Sequence, residues 1–127
     1  MEIDHIVEYW NHLSQEKWKT AKGLMSLERY ADALFFCHLT LEAKLKGKIV
    51  EKTNEQAPLI HNLVALAVQA ELDLDSDALG DLREITTFNI NARYDDYRRE
   101  FYKKASKEFA VTYFDKTNNL LTWIENH

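Results

Sequence analysis

One proline, Pro58, and three glycines punctuate 127 residues. A chain this poor in breakers spends its length in long helices, since Gly and Pro are the residues that stop helices and make tight turns at least cost. Apolar spacing agrees. Ile3, Ile6/Val7, Trp10, Leu13, Ala21 and Leu24 share one helical face, and Leu34, Cys37/His38, Leu41, Leu45 and Ile49 share a second. No run shows the comparable period-2 alternation of a half-buried strand. A third, shorter helix is expected from about His61 through Leu63, Leu66, Ala67 and Ala70, after the loop TNEQAPL in which Pro58 ends the preceding pattern. A fourth begins at Ser76 or Asp77 and carries Leu79, Leu82, Ile85/Thr86 and Asn89/Ile90. The period falters at NARYDDYRRE; Tyr102, Ala105, Phe109, Thr112/Tyr113, Leu120 and Ile124 then restore it as a fifth, long helix. Short connections between long amphipathic helices favour an all-α fold, an up-and-down antiparallel four-helix bundle with an additional short helix.

Residues 1–127 fit a single helical domain, and 46% apolar residues suffice to bury a core. The net charge of −5 argues against a general nucleic-acid coat protein, which binds by displacing counterions with Lys and Arg. The charge is unevenly spread: Glu71, Asp73, Asp75, Asp77, Asp81 and Glu84 form an acidic block, and Arg93, Arg98, Arg99, Lys103, Lys104 and Lys107 a basic one. Cys37 is the only cysteine, so no internal disulfide can form, which fits a reducing compartment. The acidic opening MEIDHIVEYWNH is unlike a secretory signal, and no stretch of about 18 apolar residues occurs. A cytoplasmic protein with no membrane partner is expected.

In LFFCHLTLEAKLK, residues 34–46, two polar residues fall among apolar ones. On a wheel of about 100° per residue with Leu34 at zero, His38 falls near 40° and Glu42 near 80°, inside the sector that holds Leu41, Leu45, Ile49 and Phe35. They are four apart and can touch along the helix. A carboxylate buried without a partner costs several kcal/mol, so Glu42 requires a basic or hydrogen-bonding neighbour or a wet cleft. One reading is a satisfied core network with nothing bound; the other is a polar site in which Glu42 orients a cation such as Lys46 or Arg93.

Other chemistries find less support. EIDH, residues 2–5, has the spacing of half a di-iron bundle motif but lacks a second copy, so no metal is expected. His5, Glu8 and His12 read as a solvated helix side. Cys37 points about 100° away from His38 and reads as a buried free thiol. Neither a nucleophile elbow nor a glycine-rich phosphate loop occurs, so any phosphate would depend on Arg, Lys or helix N-termini. ARYDDYRREFYKK interleaves bases with aromatics, a mixture in which guanidinium groups grip phosphate and tyrosines stack on bases.

Taken together, these segments resemble the HEPN domain (higher eukaryotes and prokaryotes nucleotide-binding) over almost the whole chain. Tyr30, Ala33, Glu42 and Lys46 match the family's tyrosine–x–x–alanine…glutamate–x–x–x–lysine pattern of the second helix. His61 and Leu63 match the histidine–x–leucine start of the third, and Arg93 and Tyr94 the arginine–tyrosine near the end of the fourth. The resemblance places a helix break at LERYAD, where periodicity alone would allow a single rod over residues 4–53. It implies a bundle of about five helices, usually a homodimer, often encoded beside a minimal nucleotidyltransferase in prokaryotic toxin–antitoxin or defence systems. Many members cleave RNA through an arginine followed, after four to six residues, by a histidine, paired across the dimer. No arginine of this chain has a histidine at that spacing.

The expectation is therefore a non-catalytic, dimeric module that binds a nucleotide or nucleotide-bearing partner in a cleft lined by Lys46, Arg93 and Tyr94. His38, Glu42 and His61 would form its polar network, Glu42 fixing a cation, foremost Arg93. No cofactor is implied. The rival is an atypical metal-independent ribonuclease toxin acting on RNA, with His38 or His61 as base and Arg93 stabilising the pentavalent phosphate. A ligand-free dimerisation scaffold is the third reading.

Overall fold

The computed structural model describes residues 2–127. Six helices follow in order: α1 (Ile3–Ser26), α2 (Tyr30–Thr53), α3 (Leu63–Gln69), α4 (Ser76–Arg93), α5 (Asp95–Lys104) and α6 (Lys107–Glu125). No strand occurs among the described residues, so the all-α expectation holds. α2 packs against each of the other five helices. Its sequence explains the central place: Ala31, Ala33, Leu34, Cys37, Leu41, Ala43, Leu45, Ile49 and Val50 are buried around most of its circumference, as a helix enclosed on several sides requires.

Small residues on α2 let α1 approach closely. A Cβ at Gly47 would lie 3.0 Å from the Trp10 Cβ, and the Ser14 hydroxyl donates to the Thr40 carbonyl at 2.9 Å. On the other side, Leu63 and Leu66 of α3, Leu82, Ile85 and Phe88 of α4, and Ala110, Leu120 and Ile124 of α6 close the core. Phe88 is its aromatic centre, with ring centroids 5.4 Å from Phe101, 5.5 Å from Tyr113 and 6.0 Å from Phe109. Burying one such ring is worth roughly 1.5–3 kcal/mol.

The α1–α2 reversal uses no glycine. Glu28 adopts φ 59°, while the Arg29 N–H reaches back to the Leu24 carbonyl at 2.8 Å and the Glu28 N–H to Met25 at 3.0 Å. This is the left-handed helix stop that glycine usually supplies, here made by a glutamate.

Of two expected starts, that of α3 moves and that of α4 holds. Asn62 caps α3 by accepting from the Ala65 N–H at 3.1 Å, so the helix begins at Leu63 rather than His61. Asp75 caps α4 by accepting from the Ala78 N–H at 2.8 Å, so that helix begins at Ser76. The last helix needs a larger correction, because what reads as one long helix from Tyr102 is two. Ser106 leaves helical geometry at φ −68° and ψ 169°, and its hydroxyl accepts from the Phe109 N–H, starting α6 afresh. Tyr94, extended at φ −108° and ψ 124°, separates α5 from α4. Between these two breaks α5 turns Phe101 onto Phe88, and burial of that ring outweighs continuity of the helix.

Candidate functional site: a polar seam and an arginine recess

Glu42 lies on the inner side of α2 with 14% of its side chain exposed. Two basic side chains share it. The His61 Nδ1–H donates to Oε1 at 2.7 Å from the segment leading into α3, and the Lys46 Nζ lies 3.4 Å from Oε2 one turn along α2. Lys46 is itself buried, its ammonium 5.5 Å from the Trp10 ring centroid on α1. Carboxylate on one side and π-face on the other compensate a charge that burial alone would expel.

His38 is fully buried one turn earlier. Its Nε2–H donates to the His61 backbone carbonyl at 3.0 Å, and Nε2 stands 3.9 Å from Glu42 Oε1. Nδ1 has no hydrogen-bond partner among the described residues. Burial holds the His38 pKa below its ordinary value; the His61 carbonyl and Glu42 oppose the shift, and Arg93 and the His61 ring reinforce it. The ring is thus a neutral pin between α2 and the residue that Glu42 grips by its side chain.

Arg93 does not pair with Glu42 as expected. At the end of α4 it meets the first half of α2, its guanidinium 5.9 Å from the Phe35 ring centroid. Phe35 and Glu42 are seven residues apart on α2, roughly 10 Å along the axis. Glu42 instead takes the lysine on its own helix and the histidine that the α2–α3 connection brings back.

The expected cleft also divides. Arg93 lines a recess of about 250 Å³ between α2, α4 and α5, together with Asp32, Phe35, Arg98 and Tyr102. Lys46 and Tyr94 are not among its walls. Lys46 is committed to Glu42 and Trp10, and Tyr94 is 59% exposed at the α4–α5 break.

Within the recess, Asp32 organises its neighbours. It accepts from the Tyr102 hydroxyl at 2.9 Å and from an Arg29 guanidinium nitrogen at 3.0 Å. The hydrogen bond and the carboxylate charge raise the Tyr102 pKa above its usual value, so the phenol stays a donor. Among the described residues, Arg98 is paired only with the exposed Asp95, at 3.8 Å. Asp32 and Tyr102 did not emerge as site residues from the sequence. Arg29 and Asp32 are three apart at a helix start, a faint hint; Tyr102 belongs to the stretch ARYDDYRREFYKK, but its pairing with Asp32, 70 residues away, leaves no trace in the sequence.

The family model for the HEPN domain matches residues 7–127. The chain belongs to the HEPN domain family. Its fold is similar to that of TT1696 from Thermus thermophilus, a crystal structure superposed with a TM-score of 0.82 at 21% identity, covering 94% of this chain and 96% of that one. No curated protein matches the chain. The HEPN assignment agrees with the all-α architecture. Among the described residues, no helix of this HEPN domain is long and apolar enough to cross a membrane.

Proposed function

We propose that this HEPN domain is a nucleotide-binding module that dimerises and acts with a minimal nucleotidyltransferase-type partner in a prokaryotic toxin–antitoxin or defence-like system. The observation that carries the ligand part is the recess in which Arg93 and Arg98 stand beside the rings of Phe35 and Tyr102. Guanidinium groups take phosphate oxygens in bidentate fashion, and an aromatic rim offers a base a stacking surface. Tyr94 and Tyr97, chain neighbours of Arg93 and Arg98, are both more than half exposed and offer further rings to a base. Lys46 supports the reading indirectly, by fixing Glu42 and with it the scaffold of α2. Calorimetric titration with ATP and GTP tests it: the wild type binds at least one of them, and Arg93→Ala weakens that binding. Absence of binding by the wild type, or unchanged binding by Arg93→Ala, removes the ligand part.

One observation favours the rival reading of a metal-independent ribonuclease. His61 is about half exposed with its Nδ1–H fixed on Glu42, the arrangement that orients an imidazole as a general base. His38, buried and already donating to a carbonyl, is not suited to that role. Cleavage of a structured RNA by the wild type that disappears in His61→Ala would favour the enzyme.

A further inference from the structure

A recess built only to hold phosphate has no use for a carboxylate on its wall, because like charges repel and a buried or half-buried carboxylate weakens every anion placed beside it. Asp32 nevertheless lines the recess together with Arg93 and Arg98. It is not there merely to neutralise Arg29, which is mostly exposed at the start of α2 and is solvated without help. The carboxylate is also held in place: the Tyr102 hydroxyl occupies one oxygen at 2.9 Å and Arg29 the other at 3.0 Å. A carboxylate offers about four acceptor directions, so two partners leave acceptor capacity over. With its side chain 34% exposed on the recess wall, that capacity is open to a ligand placed there.

The ligand class follows from the combination. It carries an anion for the arginines and, within the same small volume, a hydrogen-bond donor for Asp32. A volume of about 250 Å³ lies below the roughly 300–1,000 Å³ of sites that engulf a whole drug-sized molecule. The recess therefore takes the phosphate-proximal part of a nucleotide, its phosphate and sugar, and leaves the base to the exposed tyrosines. The donors of that part are ribose hydroxyls, the groups that carboxylates read in dinucleotide-binding folds. We propose that Asp32 is a specificity-determining residue that accepts a hydrogen bond from the 2′-hydroxyl, so that the module selects ribonucleotides over 2′-deoxyribonucleotides. This inference rests on the nucleotide reading of the Arg93 recess.

The test is calorimetry with ATP and GTP, each beside its 2′-deoxy counterpart, on the wild type, Asp32→Asn and Tyr102→Phe. The wild type prefers the bound ribonucleotide by about tenfold, the scale of one hydrogen bond to a partly exposed charged acceptor. In Asp32→Asn that preference falls below about threefold. The deoxynucleotide meanwhile holds or gains affinity, because a negative charge has left the neighbourhood of its phosphate; a variant that merely unfolded the recess would lose both. Tyr102→Phe removes one partner of the carboxylate but keeps its charge, so affinity for both nucleotides changes while the ribonucleotide remains the preferred one. Equal binding of ribo- and deoxynucleotide by the wild type overturns the inference and leaves the nucleotide reading standing. A preference lost in Tyr102→Phe but retained in Asp32→Asn overturns the assignment to Asp32. Absence of binding by any of the four nucleotides overturns both.

Discussion

Lys46 is 5% exposed yet carries a charge, and the residues around it show what that requires. Removing the charge of Glu42 while keeping its shape leaves the ammonium with the Trp10 ring and a neutral amide oxygen in place of a carboxylate. Glu42→Gln is therefore expected to lose about 2–4 kcal/mol of folding stability in urea denaturation, somewhat less than a fully buried pair because Glu42 retains some solvent contact. His38 carries a different prediction. Burial lowers its folded-state pKa below the ordinary 6.5, so between those two values the unfolded chain binds the proton that the folded chain refuses. Stability is then complete above about pH 6.5 and declines as pH falls towards the lowered value. Protonation would also give Nδ1 a hydrogen with no acceptor to receive it. The charged or titratable groups acting on the ring are Glu42 and His61, reached through the α2–α3 connection, and Arg93 from α4. Urea midpoints at about pH 7.5 and 5.5 measure the decline, and His38→Gln flattens it.

At the scale of the element, the three glycines separate propensity from packing. Gly23 and Gly80 lie within helices where an added Cβ meets nothing within 4 Å, so Gly→Ala at either gains roughly 0.5–1 kcal/mol from reduced chain entropy. Gly47 reverses the sign. Its Cβ would sit 3.0 Å from the Trp10 Cβ, an atom fixed to the backbone of α1, so α1 must move. Overpacking outweighs propensity there, and Gly47→Ala is expected to lose about 1–2 kcal/mol. Thermal melting of the three single variants checks the pattern. The boundaries of the elements were unevenly legible in the sequence. α1 and α2 run on in one period and are parted by the left-handed stop at Glu28, whereas α4 follows its apolar period closely. The division of α5 from α6 does not, because Tyr102 and Ala105 continue a plausible helical face, and only the pull of Phe101 towards Phe88 and the Ser106 cap make the break.

Over the whole molecule, α2 bears contacts on nearly every side, whereas α1 buries only Ser14 and Ala21 fully and α5 only Phe101. Local opening should follow that gradient. In native-state hydrogen exchange, the amides of α2 exchange last, through global unfolding, and those of α1 and α5 exchange earlier through local opening. Uniform protection across the helices would contradict this order. By itself the sequence determined the all-α class and the inward placing of His38 and Glu42, because a 3.6-residue period and a lack of breakers are local properties of the chain. Only the tertiary structure decided that Glu42 belongs to Lys46 and His61 while Arg93 joins Asp32, Arg98 and Tyr102. Apart from Lys46, which shares α2 with Glu42, those partners come from separate segments, and which charge reaches which depends on where each helix ends and turns. A difference of two turns, roughly 10 Å, is enough to reassign a cation, and residue spacing along one helix carries no record of it.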